Sequence, residues 1–340
     1  IISSYREKMK LHIWIVDKIL SKKCLWTIFL TCWMFVGIIL SIFDTSLKNN
    51  YVYVLGVNTL LFAQVITYHN LMNKESNLSF SISGVTVSGY PIFSIVSRFG
   101  AHLQQWYSIA FSFIIGIVYV ASLLLLKVLT WNQMITSYGS LTLIFTVFIA
   151  IQLYLKYIFY ILTLRKISKL DFTTFTPISL HNPSEADWIV RFTENMNSFS
   201  NYFGVLGIAY TLLFYLTTPL SAISFSNNRL RIDTPNNIAF VITWGIIVVL
   251  IGLGYILFDC MWKTYIKIII RKIKRKRLLD WEVASSNQTQ LDSNYLELFN
   301  WYKTVPDFPV LFNEKYINPL GYIPLIINAY KVIAPFLSQK

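Results

Sequence analysis

Charge is scarce in this chain. Only 13% of its 340 residues are Asp, Glu, Lys or Arg, against roughly 25% in an ordinary soluble domain. With 55% hydrophobic residues, this composition argues against a soluble globular protein and predicts an integral membrane one. Negative charge is scarcer still, at 16 acidic residues to 29 basic ones. In a soluble chain that excess would suggest nucleic acid. Here the cations adjoin apolar spans, which explains them without a nucleic-acid partner.

Cysteine and histidine are nearly missing. Cys24 and Cys260 fall at expected cytoplasmic ends of helices and Cys32 within one, so no disulfide is expected. His12, His69, His102 and His181 are scattered, and no H-E-x-x-H, Cys-x-x-Cys, G-x-S-x-G or P-loop pattern occurs. Acidic residues never pair inside an apolar stretch. No catalytic residue, metal site or cofactor is therefore assigned, and the expectation is a protein that is not an enzyme.

What is present is long apolar runs. The most informative is Asn237 to Phe258, whose 22 residues reach about 33 Å as a helix, enough to cross a hydrocarbon core of about 30 Å. Directly after it come Lys263, Lys267, Arg271, Lys272, Lys274, Arg275, Lys276 and Arg277. Such a density of cations opposes translocation and is attracted to an anionic inner leaflet, so this end is expected in the cytoplasm. Ile266, Ile268, Ile269, Ile270 and Ile273 are interleaved with these cations, a basic amphipathic pattern suited to contact with anionic lipid headgroups.

Five further spans precede it, at 25–43, 51–68, 106–126, 138–164 and 202–225, with the last at 237–258. The first is expected to act as an uncleaved signal anchor. With the amino terminus inside, the inner segments hold 24 of the 29 Lys and Arg residues and the outer loops four. That bias selects an all-α, polytopic protein of the cytoplasmic membrane with six transmembrane helices and both termini cytoplasmic. Residues 1–24 form a basic amphipathic amino-terminal segment, 25–258 the membrane domain, and 259–340 a basic tail whose apolar end, 317–337, carries three prolines and reads as interfacial or re-entrant.

Two inner segments, 69–105 and 165–201, have their own patterns. Phe80 to Ser88 alternates apolar and small polar residues, which predicts a short β-hairpin, and Ile92 to Gln105 a connecting helix. Ser184 followed by Asp187 resembles a capping box, ahead of Trp188, Ile189, Phe192, Met196 and Phe199 at helical spacing. In the tail, residues from Trp281 to Tyr302 predict a small helical element that Pro306 and Pro309 end. Asn77 and Asn287 match a glycosylation pattern but fall on the expected cytoplasmic side, where they would go unused.

Polar residues inside spans are few. Lys156 shares a helix face with Gln152 and Tyr160, a stripe that could mark a path, although a lysine near the inner boundary ordinarily snorkels to headgroups. Asn58 lies mid-span, where interhelical hydrogen bonding is the ordinary role of an amide. Gly245 and Gly252, seven apart, and nearby Gly254 reduce bulk for close helix packing, within the chain or across a homo-oligomer interface. Six spans suggest a voltage-gated channel, but no span carries arginine at every third position and the loop before the last span is too short for a selectivity filter. The expectation is a non-enzymatic membrane scaffold, sensor or effector with a cytoplasmic protein partner. The alternative is a transporter or channel subunit with its path near Asn58, Gln152 and Lys156.

Overall fold

The computed structural model describes residues 23–43, 50–82, 84–87, 90–96, 106–125, 134–170, 175–176, 182–217, 224–226, 229–231, 245–246, 248–286, 293–309 and 326. The amphipathic segment expected before Lys23, almost all of the proline-rich end at 317–337, and the first eight residues of the sixth expected span lie outside them.

Helices dominate. They are α1 (Lys23–Phe43), α2 (Asn50–Ile82), α3 (Trp106–Leu125), α4 (Met134–Lys169), α5 (Asp187–Thr217), α6 (Phe258–Ser286) and α7 (Ser293–Thr304), with a π-helix, Val248–Leu257, running directly into α6. Their lengths fall into two groups. At 21 and 20 residues, α1 and α3 are about 30 Å long, the thickness of a hydrocarbon core. At 33, 36 and 31 residues, α2, α4 and α5 are about 46 to 54 Å. Among the described residues one helix, Tyr138–Lys169, is long and apolar enough to cross a membrane, with two shorter apolar helices at Ile28–Leu40 and Tyr107–Ser122.

Packing follows the spacing of the apolar residues. On α2 the buried positions Val57, Leu61, Gln64, Tyr68, Leu71, Leu78 and Ile82 recur three, four or seven apart, which puts them on one stripe. That stripe lies against α4 and α5. On α5 the residues Trp188, Ile189, Phe192, Met196 and Phe199 are all buried, as their spacing predicts. The same stripe continues through Phe203, Leu206 and Tyr210. The π-helix packs on α5 by exchange of glycine and ring: a Cβ at Gly204 would lie 3.1 Å from Tyr255, and one at Gly254 would lie 3.1 Å from Phe203. Within α6, Ile266, Ile269, Ile270 and Ile273 are buried where that helix packs on α4 and α5. These isoleucines serve the protein core, not a lipid surface.

Three expectations change. The chain does not leave the helix at Tyr68; α2 continues to Ile82, and β1 (Thr86–Val87) and β2 (Tyr90–Pro91) follow, with helix again at 92–96, the part of the expected connecting helix that falls within the described residues. A third strand, β3 (Phe175–Thr176), pairs antiparallel with β1, so the segments 69–105 and 165–201 share one sheet in the order β2–β1–β3. The fold is thus mostly helical with small sheets. Ser184 is not the α5 cap: it sits inside a 3-10 turn, Pro183–Glu185, where it donates from its N–H and hydroxyl to Asn182 Oδ1 at 3.0 and 2.6 Å. Finally, α5 is described as far as Thr217, and residues 224–225 of the span expected at 202–225 belong to strand β4 (Ser224–Ser226), paired with β5 (Arg229–Arg231).

Candidate functional site

Lys156, Gln152 and Asn58 are all buried, and each is closed by a different neighbour. The Lys156 ammonium donates to Glu75 Oε2 at 2.8 Å and lies 5.2 Å from the centroid of the Tyr68 ring, so α2 supplies both its counter-ion and an aromatic face. Both side chains of the pair are mostly buried, at 11% and 16% exposure. The pair ties α4 to α2. One turn earlier, Gln152 Nε2 donates to Ser112 Oγ at 2.9 Å and to the Ser108 carbonyl at 3.2 Å, both on α3. The stripe on α4 is therefore divided between two partner helices.

Asn58 belongs to a third junction. Its Oδ1 lies 2.9 Å from the Tyr138 hydroxyl, which also lies 2.7 Å from the Trp33 carbonyl oxygen, and the Trp33 indole donates to Thr142 Oγ1 at 3.0 Å. Trp33 and Tyr138 stack with centroids 4.9 Å apart. Here α1, α2 and α4 are joined by polar atoms that a low-dielectric setting would leave costly if unpaired.

A fourth polar group was not visible in the sequence. Asp259, only 5% exposed, accepts from Lys263 at 2.6 Å, Ser200 Oγ at 3.0 Å and Trp262 Nε1 at 3.1 Å. The Tyr157 hydroxyl closes the group at 2.7 Å from Ser200. Nearer the Ile82 end of α2, Lys74 reaches Glu194 at 3.3 Å and Ser198 Oγ at 2.6 Å, and Ser81 bonds to Asp187. The signal that could have located Glu75 and Lys74 is the apolar stripe of α2, which keeps its helical spacing past the point where mean hydropathy falls.

The cations between Lys263 and Arg277 are largely engaged within the chain. Lys263 pairs with Asp259, Lys276 with Asp280 at 2.7 Å, and Lys272 donates to the Leu170 carbonyl at 3.1 Å. Arg271 and Lys274 share Asp307, the guanidinium Nε at 2.7 Å from Oδ2 and the ammonium at 3.0 Å from Oδ1. Burial opposes ionisation of Asp307, but the hydrogen bonds and charges of Arg271 and Lys274 outweigh it and hold the carboxyl below its ordinary range. Beside this pair is a groove of about 320 Å³ lined by Arg271, Lys274, Arg275, Leu278, Glu282 and Asp307 among others. Among the described residues no group of His, Cys, Asp or Glu is arranged to hold a metal ion.

No protein-family model, curated protein or solved structure matches the chain.

Proposed function

We propose that the protein is a six-span protein of the cytoplasmic membrane with both termini inside, acting as a non-enzymatic scaffold, sensor or effector. Its working surface is a cytoplasmic body built from the inner ends of α2, α4, α5 and α6. The observation that carries this reading is a change of exposed character along single helices. Most exposed large apolar side chains among the described residues gather at 28–39, 62–66, 107–118, 141–145, 205 and 248–257, as in Phe35, Phe111, Ile114, Phe145, Val205 and Leu253, with Phe80 on α2 and Leu279 and Val283 on α6 exposed beyond them. Beyond them the exposed positions on the same helices include Asn77, Arg165, Lys166, Lys169, Asp187, Arg191, Arg271 and Arg275. Apolar side chains suit lipid, and charged ones suit water.

Helix length supports the same division. A helix of 36 residues exceeds the hydrocarbon core by roughly 24 Å, and α2 and α5 have comparable excess. The three-stranded sheet joins segments that follow the inner ends of α2 and α4, and the buried face of α5 between Trp188 and Phe199 gives this body a core of its own. The cytoplasmic body is the surface for a protein partner, and the exposed apolar faces of α1 and α3 leave room for a second copy of the chain in the membrane.

The scaffold reading is favoured over a conducting one because Asn58, Gln152 and Lys156 bond to three different partners, Tyr138 on α4, Ser112 on α3 and Glu75 on α2, and do not converge on one route. The test is flux of ions and small solutes through liposomes containing the purified protein. Tight liposomes across voltage, pH and lipid composition are expected. Flux that changes with Gln152→Ala or Lys156→Ala would overturn the reading and locate a path along α4.

A further inference from the structure

We infer that the groove at the far end of α6 binds a soluble phosphate ester, with Asp307 as a tethered competitor for the same cations. Arg271, Lys274 and Arg275 stand at positions i, i+3 and i+4 of α6, which puts them on one face. The Asp307 carboxylate gives one oxygen to Arg271 and the other to Lys274. That is how two neighbouring cations hold a pair of oxygens on one anionic group. A phosphate dianion presents three such oxygens and can engage Arg275 as well.

The groove has room for it. Its volume of about 320 Å³ lies at the lower end of small-ligand sites. Leu278 and Leu279 supply an apolar wall for the organic part of the ester. Asp307 can yield most readily on the Arg271 side, because Arg271 is 65% exposed and an ion pair at such exposure holds weakly, whereas Lys274 is only 12% exposed. The Asp307 segment is anchored by Val305 and Phe308, both buried, with Phe308 against Trp262 at 6.0 Å between ring centroids.

Position decides the source of the phosphate. Arg271 is fourteen residues past Leu257, about 21 Å along the helix, whereas headgroups extend only some 5 to 8 Å beyond the hydrocarbon core. The choice of a soluble ester over a lipid headgroup rests on the membrane boundary proposed above. The cation geometry itself does not.

Calorimetric titration of inorganic pyrophosphate into the full chain, held in nanodiscs of phosphatidylcholine alone, tests this. Saturable binding is expected, weakened about tenfold or more by Arg271→Gln or Arg275→Gln, since each removes a charge-assisted hydrogen bond. Asp307→Asn is expected to tighten it. Arg275 is exposed, so Arg275→Gln keeps the test valid if Arg271→Gln fails to fold. The inference is overturned if neither the native chain nor Asp307→Asn binds pyrophosphate, or if Arg275→Gln leaves the affinity unchanged. Binding seen only when phosphatidic acid is added to the nanodiscs, and not with pyrophosphate, would overturn the soluble source in favour of a lipid. Solute flux is a separate readout, so failure of the scaffold reading is told apart from failure of this one.

Discussion

Gly37 of α1 lies flat against the ring of Tyr138 on α4, so closely that a Cβ at residue 37 would fall 2.7 Å from the Cε1, Cζ and hydroxyl oxygen of that ring. The ring cannot easily move away, because its hydroxyl is held between Asn58 and the Trp33 carbonyl. Gly37→Ala is therefore expected to destabilise the protein by about 1 to 3 kcal/mol, the ordinary cost of overpacking. Gly245→Ala is the control, since a Cβ there meets nothing within 4 Å, and its effect should stay within about 0.5 kcal/mol. Thermal unfolding of both variants in one detergent checks the contrast.

The Lys156–Glu75 pair makes a sharper statement about buried charge. Lys156→Met leaves Glu75 in a mostly buried position without its 2.8 Å partner, at an expected cost of about 3 kcal/mol. Replacing both, as Lys156→Met with Glu75→Leu, should recover most of that loss, because neither charge is then stranded. A double-mutant cycle on thermal stability measures it. Additive losses would show that the two side chains do not act as a pair.

The Asp307 clamp gives the tail a dependence on acid. Its carboxyl is held below the ordinary range by Arg271 and Lys274 despite the opposing effect of burial, so the folded state binds that proton less readily than the unfolded one. The stabilisation is complete above the unfolded value and is lost as pH falls through the lower folded value. Limited proteolysis between α6 and α7 should accelerate on acidification through that window. In Asp307→Asn the acceleration should be absent there.

Tyr302 carries the opposite sign. Burial pushes its hydroxyl up to about 12, with Arg277 pulling modestly the other way. A raised value means that the contribution to folding is present below the ordinary value of 10 and is lost as pH rises through the folded one. Difference absorbance of the native chain against Tyr302→Phe should show this buried phenol ionising near 12, above its ordinary value of 10.

Much of this fold was legible because spacing and hydropathy agree on where helices run. Trp188, Ile189, Phe192, Met196 and Phe199 announced their shared face, and all five are buried. The helical element before Pro306 is α7. What misled the reading was a difference between two signals. Hydropathy drops near Tyr68 because polar residues such as Asn70, Asn73 and Lys74 arrive, but Leu71, Leu78 and Ile82 keep the helical spacing, and the backbone follows the spacing. Glu75 was lost for the same reason: assigned to a segment outside the span, it gave no hint of meeting Lys156. The pairing of β1 with β3 joins residues some ninety positions apart, a contact that no local pattern encodes. Gly37 stood in an apolar run where nothing distinguishes a glycine under a tyrosine from one under lipid.

The unbroken length of α4 has a mechanical consequence. No proline falls between Met134 and Lys169 and the helix is continuous over that length, so it has no proline kink and tilts as one rod. For a rod of about 54 Å pivoting at its Met134 end, a tilt of about 10° carries the Lys169 end sideways by about 9 Å. A modest change of angle at one end is delivered at the other, beside β3 and Lys272, as a displacement nearly the width of a helix.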